Sequence, residues 1–157
     1  MQGSEFDQAG FFAAIAASGA RALMIGRRAM IALGLSVMTQ DYDFWVHGDD
    51  IDAFNAAVEP FGLFPNRDAA AARAFGRYVL ENDERVDVLV SRSVPTVDGV
   101  RVAFDDLWTR KQEVSLGYQL SLCLPSIDDL ILTKLFGGRP KDAEDIRQLL
   151  ALKGTRP

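Results

Sequence analysis

The sequence predicts an α+β fold, in which a central mixed β-sheet is flanked by helices and two helices follow at the C-terminal end. Helical and strand-like hydrophobic spacing alternate in the first third of the chain, a hairpin of β-branched residues lies near the middle, and two adjoining helical stretches come last. The 157 residues suit one domain with a hydrophobic core. We therefore expect a single domain over 1–157 with its core at about 21–150, and residues 1–6 as a cloning remnant or disordered start.

The predicted elements of the first half alternate between helix and strand, and caps or glycines mark their ends. Phe11, Phe12 and Ile15 recur at helical spacing, for example, and Gly34 follows a helical stretch as a normal C-terminal signal. In order, we predict a helix over Asp7–Ala17, a strand over Arg21–Ile25 ending at Gly26, a helix over Arg28–Leu33, a strand over Thr39–Val46, and a helix that Asp49 or Asp50 caps and that Pro60 and Gly62 end.

The second half begins with a predicted hairpin, because two strand-like stretches flank the turn-prone pair Asn82-Asp83. Ser126 and Asp129, three residues apart, have the form of a capping box at a helix start. The predicted elements are strands over Arg77–Leu80, Arg85–Ser91 and Val102–Asp106, and helices over Ser126–Phe136 and Lys141–Leu152 separated by Gly137-Gly138-Arg139-Pro140.

Composition limits the classes of function. The formal net charge is −5, which argues against a protein that binds duplex nucleic acid by bulk charge, because phosphate neutralisation needs clustered Lys and Arg. The net charge does not exclude a local basic cleft. No apolar run reaches the roughly 18 residues of a membrane span, no export leader is recognisable, and the single cysteine, Cys123, has no disulfide partner within the chain. We expect a cytoplasmic protein.

Three acidic residues form the most informative pattern. In a strand, Asp41 and Asp43 point to the same face, while Tyr42 and Phe44 face a core. Asp87 interrupts a second, β-branched strand. Carboxylates held side by side repel each other unless a cation compensates, and Mg²⁺ prefers oxygen ligands. If the two strands are neighbours, three carboxylates form a site for two metal ions; the other interpretation is three surface acids on a half-exposed sheet.

Four motifs are spaced along the chain: Met24-Ile25-Gly26 before a helix, Thr39-x-Asp41-x-Asp43, Val86-Asp87-Val88-Leu89, and the C-terminal stretches Leu130–Lys134 and Gly138–Ile146. Together they resemble the DNA polymerase β-like nucleotidyltransferases. The similarity extends to small bacterial nucleotidyltransferase-like proteins related to abortive-infection and toxin–antitoxin systems, and it covers about Arg21 to Leu150.

The resemblance implies a magnesium-dependent transfer of a nucleoside monophosphate from a nucleoside triphosphate, such as ATP, to a hydroxyl of RNA, protein or a small molecule. Two Mg²⁺ ions are implied, with Mn²⁺ as an alternative, and a cognate antitoxin-like protein as a partner. The implied metal ligands and catalytic residues are Asp41, Asp43 and Asp87, and the implied nucleotide- or phosphate-binding residues are Gly26, Arg27, Thr39 and Lys134.

Arg27 departs from the family pattern, in which Gly or Ser follows the glycine. Its guanidinium could contact phosphate, or its bulk could block the close backbone approach that glycine permits. The second reading favours a degenerate, noncatalytic binding module as the alternative function. A glycosyltransferase also uses Asp-x-Asp, but 157 residues are few for its nucleotide-binding sheet.

Lys134 falls in the apolar stripe of its predicted helix, so it either reaches out to solvent or meets an internal anion. For Asp142 we expect a structural role in the first turn of the last helix, with an ion pair to Lys134 or Arg139 as an option. We expect Asp145 to be structural or solvent-facing. Arg67, Arg73 and Arg77 are either channel residues or a solvated face, and we expect structural roles for Trp45, at the sheet edge, and for His47 and Cys123.

Overall fold

The computed structural model describes residues 6–82, 84–117 and 119–155. Seven α-helices and nine strands are defined within these residues, and two 3-10 turns lie at Gly48–Asp50 and Glu59–Phe61. In chain order the elements are α1 (Gln8–Ala17), β1 (Ala22–Ile25), α2 (Gly26–Ala32), β2 (Tyr42–Val46), α3 (Ile51–Val58), β3 (Phe64–Pro65), α4 (Ala69–Phe75), β4 (Arg77–Glu81), β5 (Arg85–Leu89), β6 (Ser93–Pro95), β7 (Arg101–Ala103), α5 (Phe104–Thr109), β8 (Gln112–Ser115), β9 (Ser121–Leu124), α6 (Ile127–Lys134) and α7 (Pro140–Thr155).

Five strands form one mixed sheet in the order β1-β2-β5-β4-β3. Strands β2 and β5 are parallel, whereas the other neighbours are antiparallel. The α+β class, the mixed sheet and the two closing helices are therefore confirmed. The predicted hairpin is also present as β4 and β5, although Asp83 in its turn lies outside the described residues.

The parallel pair sets the position of the acidic residues. Its register places Asp43 directly opposite Asp87, and β1 places Ile25 opposite Asp43 on the other side. The expectation that the two acidic strands are neighbours is confirmed. Residues alternating with these acids, Tyr42, Phe44, Val86 and Val88, are at most 3% exposed and face the main core with α1 and α3.

A second, smaller core covers the sheet face that carries the carboxylates. Trp45 is fully buried there against Leu23, Val102, Phe104 and Leu107, and its indole Nε1 donates to the Ser91 carbonyl at 2.8 Å. Trp45 does share the carboxylate side, but β2 lies between β1 and β5. The expectation that this tryptophan fills the sheet edge is wrong, because α5 and the β6–β7 hairpin cover it.

The predicted strand over Thr39–Val46 begins only at Tyr42. The Asp41 N–H donates to Thr39 Oγ1 at 3.0 Å, and the Asp41 carbonyl accepts from Arg28 Nε at 3.1 Å. These local bonds use the backbone groups that a strand would pair, so the chain turns here. Strand alternation therefore does not orient Asp41, and the strand geometry predicted for the Asp41–Asp43 pair is wrong.

Three further differences follow from local chemistry. The predicted strand over Val102–Asp106 ends at Ala103, and α5 begins at Phe104, with Asp105 and Asp106 in the helical first turn where acids are favoured. Helix α4, which Asp68 caps at the Ala71 N–H, was not predicted from the sequence. Strand β3 and the β8–β9 hairpin were not predicted either.

The start of α3 depends on a charge partner. Asp50 occupies the N-cap position as expected, but its side chain makes no cap hydrogen bond. It accepts instead from the Arg21 backbone N–H and Nε, both at 2.7 Å. Across the described ranges, the helices are all too short or too polar to cross a membrane.

Candidate active site

A cavity of about 550 Å³ opens where β1, β2 and β5 meet the turn between α6 and α7. Its lining combines three kinds of side chain: the three acids proposed from the sequence, several cations, and an apolar wall. The acids are Asp41, Asp43 and Asp87, with Asp142 beside them; the cations are Arg27, Arg77, Lys134, Arg139 and Lys141; the apolar wall includes Ile25, Leu89, Val94 and Phe136.

The structure brings Asp41, Asp43 and Asp87 to this one cavity. Asp43 and Asp87 occupy opposed positions of parallel strands, and Asp41 enters from the turn before β2. Arg85 holds the Asp87 carboxylate, with 3.2 Å between Nη2 and Oδ1, and Arg77 Nη2 lies 3.9 Å from the same oxygen. The two arginines partly neutralise Asp87 on its open side.

Asp43 is the carboxyl most affected by this environment. Burial, together with the negative charges of Asp87 and Asp41, raises its pKa to about 6. The positive charges of Lys134 and Arg139 act in the opposite direction, but they do not cancel the effect. The ionised form of Asp43 is thus disfavoured, and a bound cation would relieve the repulsion.

The donor set fits a hard divalent cation by its chemistry, since all three side chains offer carboxylate oxygens. In their present orientations, however, no three acidic, histidine or cysteine side chains among residues 6–82, 84–117 and 119–155 stand close enough to enclose a metal ion. The Asp87 carboxylate is paired with Arg85. Arg85 is 54% exposed, so releasing Asp87 from it would cost little, about 1 kcal/mol or less.

Gly26 is required by the packing around Asp43. Its φ is +71°, and a Cβ at this position would lie 2.6 Å from Asp43 Oδ2. Since Ile25 pairs with Asp43 across β1 and β2, the backbone passes directly over the acid at the start of α2. Glycine therefore permits the close approach of the chain to Asp43, and it lies in the lining where a phosphate contact was expected.

Arg27, the departure from the family pattern, is held by protein acceptors. Its Nε and Nη2 donate to Asp145 at 3.1 and 3.2 Å, and Nη1 donates to the Met38 carbonyl at 3.0 Å. The side chain is thus fixed toward α7. Arg27 also lines the cavity. A contact between its guanidinium and a phosphate stays a prediction.

Lys134 meets an internal anion rather than solvent. Its side chain is 6% exposed, and Nζ donates to Asp145 Oδ2 at 2.9 Å. Asp142 pairs with Arg139, one of the two partners proposed for it, at 3.2 Å. The buried anion that pairs with Lys134 is therefore Asp145, not Asp142.

The central position of Asp145 beside the cavity was not predicted from the sequence. It is 1% exposed, so the structural interpretation holds and the solvent-facing one is wrong. Burial alone would raise the pKa of its carboxyl, but hydrogen bonds from Arg27 and Lys134, and their charges, hold that pKa below its usual value. The available signal was the spacing of Asp142 and Asp145, three residues apart near the start of one helix.

Other proposed residues divide between the cavity and the surface. Thr39 lines the cavity and anchors the turn at Asp41. Arg77 lines it as well, whereas Arg67 stacks over the Phe75 ring at 3.9 Å and Arg73 donates to the Gly48 carbonyl. His47 has the structural role expected for it, since its Nδ1 accepts from the Asp49 N–H. Cys123 is partly buried, and burial raises the pKa of its thiol.

Residues 20–154 match the family model described as nucleotidyltransferase of unknown function (DUF6036). No curated protein matches the sequence significantly.

Several solved structures have a similar fold. The solution structure of the antibiotic-resistance factor ANT(2'')-Ia matches with a TM-score of 0.64 and 16% identity over 91% of this chain and 80% of that one. A putative nucleotidyltransferase from Thermotoga maritima matches with 0.60 and 15% identity over 90% and 88%. The lincosamide antibiotic adenylyltransferase LnuA matches with 0.56 and 13% identity over 83% and 86%. At these identities the likeness concerns the fold.

Proposed function

The chain belongs to the family of nucleotidyltransferases of unknown function, and from this premise we propose that it transfers a nucleoside monophosphate from a nucleoside triphosphate to a hydroxyl of an acceptor. The observation that carries the proposal is the opposition of Asp43 and Asp87 on parallel strands, in a cavity that Asp41 and five basic residues also line. Acids for a metal and cations for a triphosphate thus share one cavity.

The acids would hold a divalent cation, with Asp43 as the central ligand and Asp41 and Asp87 beside it. Mg²⁺ is our first choice and Mn²⁺ the second, because both prefer oxygen ligands. Such a cation supplies Lewis acidity and neutralises charge on the phosphates. The raised pKa of Asp43 supports this role, since a carboxyl that is disfavoured as a lone anion gains most from a cation.

The basic residues of the lining would bind the phosphates. Lys134 is buried beside the carboxylates, while Arg139 and Lys141 lie at the turn into α7. In the reaction, the acceptor oxygen forms a bond to the α-phosphorus, the bond between that phosphorus and the bridging oxygen breaks, and pyrophosphate leaves. Asp87 accepts the proton of the acceptor hydroxyl, unless it serves only as a metal ligand.

A small molecule is the acceptor class to test first. The net charge of −5 disfavours a polynucleotide. Two similar folds belong to proteins whose structures are described with small molecules, adenylyl-2''-tobramycin and lincomycin. RNA and protein acceptors stay as alternatives. A toxin-like role with a cognate antitoxin-like partner is a prediction from the resemblance alone.

The test uses α-labelled nucleoside triphosphates with each of the four bases, with Mg²⁺ or Mn²⁺ and with a chelator as the blank. Pools of small hydroxyl compounds, RNA and protein are offered as acceptors. Asp41→Ala and Asp43→Ala should abolish the metal-dependent transfer while the fold stays intact by circular dichroism. Asp52→Ala, an exposed acid on α3 away from the cavity, is the matched control and should transfer normally.

Absence of label transfer with every nucleotide and acceptor would refute the proposed nucleotidyltransferase activity. The alternative, a noncatalytic binding module, is favoured by Arg27 at a position where the family pattern has a small residue. Titration calorimetry separates the two functions. Binding of magnesium-ATP without transfer supports the module, and full transfer by either alanine variant contradicts the assignment of the site.

A further inference from the structure

One buried carboxylate joins three elements around the cavity. Asp145 on α7 is 1% exposed and accepts from Lys134 of α6 and from Arg27 of α2. Arg27 binds through two nitrogens, at 3.1 and 3.2 Å, and its remaining terminal nitrogen donates to the Met38 carbonyl at 3.0 Å. The contacts therefore form a chain from the segment before β2, through Arg27 and Asp145, to Lys134.

The protein holds the two cations at this carboxylate to different extents. Each nitrogen group of Arg27 already donates to a protein acceptor. The ammonium of Lys134 has three N–H donors, and within the described ranges it donates to Asp145. Lys134 is held at a single point and can direct its other N–H donors toward oxygens in the cavity that it lines, whereas the guanidinium of Arg27 is fixed in place by Asp145 and Met38.

The charges at this point do not cancel. Two cations and one carboxylate leave a net charge of about +1 in a region where Lys134 is 6% and Asp145 1% exposed. The positive charge of Lys134 is felt at Asp43, where it lowers the pKa. The surplus charge lies next to the carboxylates. Once a metal ion neutralised those carboxylates, the triphosphate of a nucleotide would bring the compensating anion.

We propose that Asp145 and Arg27 are positioning residues that hold the Lys134 ammonium for the triphosphate of the nucleotide. The inference rests on the proposed function and assigns Arg27 an indirect role in place of a phosphate contact. Asp145 has a second effect, because it gives the buried Lys134 ammonium a counter-charge while no nucleotide is bound. The lowered pKa of Asp145 agrees with a carboxylate that stays ionised there.

The experiment is a double-mutant cycle read by titration calorimetry with magnesium-ATP and with inorganic triphosphate. Asp145→Asn should lower the affinity for both ligands by the same factor, about tenfold or more, because a displaced Lys134 ammonium loses charge-assisted hydrogen bonds to phosphate. In a Lys134→Met background, Asp145→Asn should cost no further affinity. Arg27, whose side chain is 29% exposed, is replaced in the second cycle. Arg27→Gln should also lower the affinity for both ligands, and it should do so only when Lys134 is present.

Asp129→Asn provides the matched control. Asp129 is also buried, at 4% side-chain exposure, and accepts from Nε and Nη2 of one arginine, Arg110, but it does not line the cavity. This variant should lose stability and keep its affinity for both ligands. An equal loss of affinity in Asp129→Asn would mean that general destabilisation explains the effect, and it would overturn the positioning role.

The remaining outcomes separate the two proposals. If the wild-type protein binds magnesium-ATP and Asp145→Asn and Arg27→Gln bind it equally well, the inference is wrong and the proposed function stands. If Asp145→Asn does not fold, the Arg27→Gln cycle decides the inference by the same criterion. If the wild-type protein binds no nucleoside triphosphate, the proposed function fails, and this inference fails with it.

Discussion

Replacing Gly26 by alanine tests how closely the backbone must approach Asp43. Gly26 has a φ of +71°, in the left-handed region that side chains with a Cβ adopt at a cost. The added Cβ would also stand 2.6 Å from Asp43 Oδ2 and 3.2 Å from Asp43 Cβ. The nearest atom belongs to the end of a side chain, so we expect Asp43 to rotate away while the backbone keeps its course.

The expected size of the effect follows from these two contributions. The left-handed conformation costs roughly 1–2 kcal/mol for a residue with a Cβ. Displacing a partly buried carboxyl adds on the order of 1 kcal/mol. For a chain of 157 residues, 1 kcal/mol lowers the melting temperature by about 2–4 °C, so Gly26→Ala should melt roughly 4–12 °C lower. Its affinity for magnesium-ATP should fall, because the central metal ligand is misplaced.

Gly19→Ala is the matched control. Gly19 has a similar φ of +77°, but no atom lies within 4 Å of the position of its Cβ. Thermal unfolding and calorimetric titration with magnesium-ATP are measured for both variants. Gly19→Ala should lose about 1–2 kcal/mol of stability and keep its affinity for the nucleotide. If Gly26→Ala binds magnesium-ATP as tightly as Gly19→Ala does, the claim that Gly26 secures the position of Asp43 is refuted.

Two further predictions concern the dependence of stability on pH. The pKa of Asp43 is raised to about 6, so the folded protein is most stable when this carboxyl is protonated, and it loses stability as pH rises from about 4 through 6. Asp43→Asn should therefore stabilise the metal-free protein by about 1–3 kcal/mol above pH 7 and have no effect on stability below about pH 4. Denaturant unfolding at several pH values measures this, and an unchanged difference across the range would contradict it. A hydrogen bond from Arg21 holds the pKa of Asp50 below its usual value. The stability that the ionised Asp50 contributes is therefore present at neutral pH and lost in acid. Asp50→Asn should destabilise by about 1–2 kcal/mol at pH 7, and the difference should vanish at acid pH; a loss of equal size at pH 2 and pH 7 would contradict the ion pair.

The elements that the sequence predicts well are those with strong local signals. The strand alternation of Val86, Asp87 and Val88 placed the acid on one face and the valines in the core, as observed. Ser126 caps α6 by accepting from the Asp129 N–H, as its spacing indicated. In these cases one local pattern decides both the element and its orientation.

The misplaced elements depend on contacts that no local pattern contains. Strand β2 starts late because Thr39 and Arg28 take up the backbone groups of Asp41. Helix α4 was missed because its run of alanines, which are strong helix formers, shows no amphipathic period, although Asp68 and Gly76 mark its ends. Propensity and capping would have indicated this helix where hydrophobic periodicity did not.

The acids of the site could be selected from the sequence, but their partners could not. Asp43 and Asp87 converge because β2 and β5, more than forty residues apart, pair in parallel register. The pairing of Asp145 with Arg27, 118 residues away, has no local signal at all. Residues of the candidate site follow from motif spacing, whereas the charges that hold them depend on tertiary packing.

The most direct test of the central claim is to locate a bound metal ion. Crystals grown with Mn²⁺ and a non-hydrolysable nucleoside triphosphate would show manganese by its anomalous scattering. We expect the ion at direct coordination distance, about 2.1 Å as for Mg²⁺, from Asp43 and from Asp41 or Asp87, with the triphosphate directed toward Lys134. Manganese bound elsewhere, with these three carboxylates free of it, would contradict the account.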